Sequence, residues 1–530
     1  MKKVTALILC LLLAVAVTVT ALTACSGKNE GDNSKAQSEA ESNESNIESS
    51  NEETSGENSG PDHLNNPDIY KGLDYNDRTL TFFTCGIGSD PVSEFVYNDG
   101  LSEETLPSTV NEAIRIRNNN VSDALGVTIK EIYYKSSGRY GSDSLRTIRG
   151  YIEAADGEAF QVMSICLYDC GTLAMENCLY DFYSLNNINM ENPWWEQSFN
   201  DSVTISDQLY FTLGDIGFNH KNSTPCVYYN CNLIDNMHLT DPIELAIDGK
   251  WTIDTALSYS KELCIDSAAP EGLDYLDEFG WAGQYDDMYA MLYGSGVRIL
   301  SPDSEGYPML TLNTPTAVGT VDKVLTLMLD KSYMCGNDYF NVSSTPMELL
   351  RTAFQEGRCL FYSGGINSAS VFDMEDTFGI LPVPKYTEEQ DYYYSLINTW
   401  TTNAYCIGAN CDEETAEFTA AVLDVMGYYS WSEYPDSLAY NYYEKMLKAQ
   451  KLSREDSEAM LDLIFSARGC ELGSIFQIGK IGSGSVAVNT MLSDLIASGI
   501  TGTFASAYEK YADKFQSDVE ALNDFFKANK

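Results

Sequence analysis

The sequence predicts an α/β fold built on parallel sheet. Residues 78–84, 127–133 and 160–165 have the apolar, β-branched and aromatic content of strands. Residues 110–125 and 144–155 between them place apolar side chains at helical spacing. Strand–helix–strand–helix–strand in this order is the pattern of a parallel layer with crossover helices. The same mixed texture returns over residues 210–385, and the last third is helical, without a repeat of solenoid period.

Each element has a local cause. In the first helix Val110, Ala113, Ile114, Val121 and Leu125 form the apolar face, and Gly126 stops it. Residues 226–230 form a strand, and 252–264 a helix with Asp254 near its start. A further helix runs to residue 355, with Thr345 as cap and Pro346 at the first position, where a missing N–H costs nothing. Residues 378–384 make a short strand ending on Pro382 and Pro384. Helices follow over 413–429, 440–451, 453–467 and 486–527, the last with a gap near Gly499; Phe418, Ala421, Val422, Val425 and Met426 are core packing. Parallel sheets bind ligands at the carboxyl ends of their strands, which makes loops 85–89 and 167–172 candidate walls of a site.

Charge narrows the function. The 530 residues hold 32 Lys+Arg against 78 Asp+Glu, a net charge of −46, which excludes nucleic acid as a partner. Met1-Lys2-Lys3 precedes a mostly apolar run over residues 4–20, then Leu22-Thr23-Ala24-Cys25. This resembles a bacterial lipoprotein signal peptide over residues 1–24, with Cys25 the lipidated mature N-terminus. An uncleaved membrane helix is the alternative, since the run is roughly long enough to span. Residues 25–68 read as lipidated Cys25 and a disordered acidic Ser/Glu/Asn tether. Setting aside Lys2, Lys3 and the two lysines and nine acids of residues 26–60 leaves −41 for the rest.

Catalytic chemistry has little to work with. The chain lacks a G-x-S-x-G elbow, an H-E-x-x-H helix and a dinucleotide fingerprint. The stretch from Gly473 to Lys480 has one spacer too many for a phosphate loop, and Ile481 stands where a magnesium-binding hydroxyl belongs. Of 3 histidines, His63 lies in or beside the tether, and His220 and His238 read as surface or turn residues. Most of the twelve cysteines left after Cys10 and Cys25 read as small buried apolar residues.

Several segments then occur in a telling order. They are Asn111-Glu112-Ala113 with Arg117-Asn118, Asn192-Pro193-Trp194-Trp195-Glu196, Leu209-Tyr210-Phe211 and Gly214-Asp215. Tyr228-Tyr229-Asn230, the run from Gly249 to Asp254, the run from Phe354 to Phe361, the run from Phe378 to Lys385 and Glu389-Gln390 follow. Together, over about residues 76–480, they resemble the extracellular solute-binding proteins of family 1, lipid-anchored receptors for carbohydrate ABC importers in Gram-positive bacteria. The chain departs from that pattern at Cys231-Asn232 and in the slight Ser363-Gly364-Gly365.

The resemblance implies a two-lobed, periplasmic-binding-protein-like α/β fold of type II with a hinge between lobes. Residues 69–212 and 386–425 would form lobe 1, and 213–385 and 426–530 lobe 2, with crossings near residues 211–224 and 384–385. It implies a monomer on the extracellular face of the cell membrane, with ABC permease subunits as partners, a carbohydrate ligand, and neither cofactor, metal nor catalysis. A lipid-anchored glycoside hydrolase and another surface lipoprotein are the rival readings.

Sugars present apolar C–H faces rimmed by hydroxyls, so rings flanked by acids or amides suit them. The resemblance makes Tyr168 and Asp169, after the third strand, ligand-binding candidates. Asp215 in the hinge approach joins them, with Trp281, Gln284 and Tyr285 at a helix start of the second lobe. Tyr362 and Trp400, the latter in a return strand, complete the set. Trp194 and Trp195 read as packing, and Trp251 and Trp431 as core.

Overall fold

The computed structural model describes residues 70–87, 92–103, 105–267, 271–431, 433–434, 436–452, 454, 456–480 and 487–530. The chain divides into compact units Met1–Asn58 and Ser59–Lys530, and all described residues belong to the second. The signal, Cys25 and the tether lie outside the described residues. Among the described residues no helix is long and apolar enough to cross a membrane.

Strands β1 (Arg78–Gly86), β2 (Val127–Lys135) and β3 (Val162–Cys166) pair in parallel around β1. Helices Ser108–Leu125 and Asp143–Glu153 make the crossovers. Gly126 adopts φ 62°, the left-handed conformation that closes a helix.

A second sheet follows. Its members are β4 (Pro225–Asn230), β5 (Cys264–Ile265) and β6 (Glu278–Gly283), and, beyond a separate hairpin of β7 (Leu300–Pro302) and β8 (Pro308–Leu310), β9 (Tyr333–Cys335), β10 (Cys359–Gly365) and β11 (Phe378–Leu381). The order is β11-β4-β10-β6-β5, with β9 also on β6; β6 takes β9 and β10 in parallel, and β4 runs against both β10 and β11. The chain then passes through β12 (Ser395–Leu396) to β13 (Asn403–Ile407), which joins the first sheet antiparallel to β3. Near the end, β14 (Arg468–Gly469) pairs with β12 in parallel.

The passages between sheets are closely fitted. Thr212 and Tyr405 exchange both backbone hydrogen bonds at 2.9 Å. A Cβ on Gly214 would stand 2.7 Å from the Trp194 carbonyl oxygen and from the Trp195 ring, so this position needs glycine. Lys385, where the return passage is expected, donates its N–H to the Trp251 carbonyl and accepts from Ile253 N–H. The chain rejoins the first sheet at β13.

The family-like segments hold the fold through buried polar groups. Trp194 and Trp195 both donate their indole N–H to Asp424 Oδ1, at 2.9 and 3.2 Å, and the Asn192 amide reaches the same carboxylate. Arg117, 1% exposed, donates to the carbonyls of Ile216, Glu94 and Phe95. Trp251 is fully buried and donates to the Pro382 carbonyl at 2.9 Å.

Thr252 caps helix Ile253–Ser260 by accepting from Thr255 N–H, and Asp254 pairs with Lys323. Two local expectations change. Thr345 makes no capping bond; its hydroxyl donates to Glu348 at 3.1 Å instead. His220 is buried rather than at the surface, because Arg468 Nη2 lies 2.8 Å from its Nδ1. Burial holds its pKa well below the usual histidine range, with the Arg468 charge acting the same way. His238, exposed at φ 56°, is the turn residue expected. The described cysteines are free thiols, and all but Cys178 and Cys264 are buried.

Candidate binding cleft

At the carboxyl end of β3 the chain enters helix Leu167–Ala174 directly, which puts Tyr168 in its first turn. Tyr140 packs against it, with ring centroids 4.9 Å apart. Residues 398–402, the turn before β13, bring Trp400 to the same side; its indole meets Tyr140 edge-on at 5.2 Å and is 45% exposed. Asn398 Oδ1 accepts from Trp400 and Thr401 N–H, and Arg139 donates to the Trp400 carbonyl at 2.7 Å. Trp400 thus belongs to a turn and not to the return strand expected.

The second sheet supplies the facing wall. Strand β6 ends at Gly283, then Gln284 leads into helix Asp286–Gly294. Strand β10 contributes Tyr362 and Ser363-Gly364-Gly365. Tyr362 and Ser368 crowd Gly364, where a Cβ would come within 2.7 Å of both side chains. The slight wall seen in the sequence has that packing cause. Between the two sides lies a cavity of about 240 Å³, lined by Tyr168 and residues 398–401, and by Gln284, Asp286, Asp287, Tyr289, Tyr362 and the segment 363–368.

Its polar groups are unevenly committed. Asp287 accepts from the Tyr333 hydroxyl at 2.7 Å and from Gln284 N–H at 3.2 Å. Burial outweighs these bonds and pushes its pKa up to about 6. Asp286 keeps solvent contact within the concave wall, and the protein packed around it raises its pKa as well. The Tyr289 and Thr399 hydroxyls are buried in the lining, the first beside the Ser474 side chain and the second beside the Cys470 thiol. Among the described residues no cluster suited to a metal ion occurs.

Of the residues singled out from the sequence, the structure brings Tyr168, Gln284, Tyr362 and Trp400 to this cleft. Four others lie elsewhere. Trp281 is fully buried inside β6, where its indole donates to Ser363 Oγ at 2.9 Å behind the cleft wall. Asp169, 3% exposed, turns back to accept from Gly141 N–H at 2.8 Å. Asp215 pairs with Lys221 at 2.8 Å. Tyr285 is half-buried beside Asn337, which accepts its backbone N–H. Asp286, Tyr289, Asn398 and Thr399 line the cleft without having been candidates; Asp286 follows Gln284 and Tyr285, and Asn398 and Thr399 directly precede Trp400 in the run expected as a return strand.

No protein-family model matches the chain, and no curated protein matches it in sequence. Solved structures do match it in three dimensions. UgpB from Mycobacterium tuberculosis, in complex with glycerophosphocholine, aligns with a TM-score of 0.53 at 13% identity, over 84% of this chain and 99% of its own. An ABC substrate-binding protein from Listeria monocytogenes in complex with cycloalternan gives 0.50 at 12% identity, over 84% and 99%. The GacH receptor of Streptomyces glaucescens, solved unliganded and with acarbose, gives 0.50 at 12%, over 83% and 99%. The fold is that of the ABC substrate-binding proteins. In this two-lobed α/β fold the first sheet with its helices forms one lobe, the second sheet the other, and the cavity lies between them.

Proposed function

We propose that this chain is a lipid-anchored extracellular receptor that captures a sugar or short oligosaccharide in the interlobe cleft and delivers it to an ABC permease. The observation that carries this reading is the cleft itself. Rings from both lobes, Tyr168 and Trp400 against Tyr362 and Tyr289, face a cavity edged by Gln284, Ser363, Asn367 and Asn398. Aromatic faces match the C–H faces of a sugar, and amide and hydroxyl edges match its hydroxyls. Cycloalternan and acarbose in the fold relatives named above support a carbohydrate ligand. The volume, at the small end of ligand pockets, favours one or two rings over a long chain.

Binding is favoured over turnover. A glycosidase needs two carboxylates flanking the scissile bond. The acids lining this cleft, Asp286 and Asp287, are neighbours on one lobe, and Asp287 is held by Tyr333. The anchor reading rests on the residues from Leu22 to Cys25 and the acidic tether behind them. In this reading the monomer's lobes comprise residues 69–212 with 386–425, and 213–385 with 426–530; residues 386–402 carry the return passage. Thermal unfolding against a panel of mono- and disaccharides is the test. A sugar that binds only the folded chain raises the midpoint; a panel without effect would refute the sugar reading. A labelled fatty acid supplied to the cells should mark the wild type and not Cys25→Ser, and a label that survives the substitution would refute the lipid anchor at Cys25.

A further inference from the structure

Building on the receptor reading, we propose that the ligand carries a protonated amine, as an aminosugar or amine-bearing glycoside does, and that Asp286 is the residue that selects it. The cleft is charged in one sense only: Asp286 and Asp287 line it, and none of its described lining residues is Lys, Arg or His. Two nearby cations have other partners. Arg139 donates to the carbonyls of Trp400 and Thr401, and Lys480 lies over the Tyr140 ring at 5.6 Å.

The two acids differ in what holds them. Asp287 is bound by Tyr333 and Gln284, whereas Asp286 faces the cavity opposite Tyr168. A neutral sugar can donate hydroxyl hydrogen bonds to this carboxylate, but it brings no countercharge when enclosure removes the water. An ammonium group supplies that charge and donates hydrogen bonds to the carboxylate. The rings contribute in the same direction, since the face of a tryptophan attracts a cation and Trp400 is 45% exposed. The amides of Gln284, Asn367 and Asn398 in the lining remain for the ligand's neutral polar groups.

The test is a set of matched ligands measured by calorimetry on the full chain: glucosamine, glucose and N-acetylglucosamine, and the chitosan disaccharide with its N-acetylated and its hydroxyl counterparts. Acetylation removes the charge while keeping the ring. The account expects an amine to bind at least tenfold tighter than its neutral counterparts, and Asp286→Asn to abolish that preference with an unchanged melting curve. Neutral sugars binding as tightly as their amines would overturn this inference and leave the sugar receptor standing. A preference that survives Asp286→Asn would overturn the assignment to that residue. Binding by none of these sugars would count against both.

Discussion

Tyr333 donates its hydroxyl to Asp287 Oδ2 at 2.7 Å. This bond ties the inner of two adjacent carboxylates into the second lobe and leaves the outer one, Asp286, at the cavity.

Asp287 should give stability a distinctive pH dependence. Its pKa in the folded chain is about 6, against 3.8 for an ordinary aspartate. Between those values the folded chain holds more protons than the unfolded one, so this group's contribution falls as pH rises through the window and is level above it. Asp287→Asn should therefore gain on the wild type by about 2 kcal/mol between pH 4 and pH 7. Urea unfolding at both pH values checks this; a constant difference would refute it.

Two tryptophans should behave in opposite ways. Trp400→Ala removes a half-exposed ring at the cavity and should weaken ligand binding about tenfold with little change in stability. Trp281→Ala empties a fully buried site and should destabilise the fold by about 3–5 kcal/mol. Calorimetry and urea unfolding on both variants separate the roles. Equal loss of stability in the two would contradict the placement.

Asp424 is the shared acceptor of Trp194, Trp195 and Asn192, and Tyr70 donates to it as well. Asp424→Ala would strand these buried donors and should cost about 3–5 kcal/mol, with Asp424→Asn costing less. A loss below 1 kcal/mol in urea unfolding would show that these bonds contribute little.

The cysteines give a chemical check. Melting curves with and without a reductant should coincide, and Cys178 and Cys264, the half-buried thiols, should be labelled first in the native protein. Mass spectrometry after brief alkylation identifies the labelled sites. Early labelling of Cys170 or Cys406, both fully buried, would contradict the packing.

The first lobe was legible because its strands and helices follow one another locally, each with its own period and stop signal. Gly126 ends a helix from sequence, and it does so in the fold. The second lobe was harder where long-range pairing decides. Trp281 stands among small residues expected at a helix start. Strand β6 nevertheless forms, because β9 and β10 pair with it on either side. Gly280 lies so close to Ser260 that a Cβ would overlap its carbonyl oxygen. His220 was misplaced for a similar reason, since Arg468 is 248 residues away in sequence. The cleft was half legible: the resemblance pointed to Tyr168, Tyr362 and Trp400, whose rings line it. Asn398 and Thr399 are ordinary polar residues whose value comes only from the turn that carries them.

Trp400 offers the most direct test of sugar capture in the cleft, because it is the one tryptophan among the described residues that lines the cavity. Intrinsic tryptophan fluorescence should be titrated with the sugars and aminosugars of the panel, in the wild type and in Trp400→Phe. The account predicts a saturable spectral change in the wild type that Trp400→Phe abolishes while calorimetry still detects binding. A saturable change that persists in Trp400→Phe, or heat of sugar binding without any change in wild-type fluorescence, would place the ligand elsewhere and contradict the account.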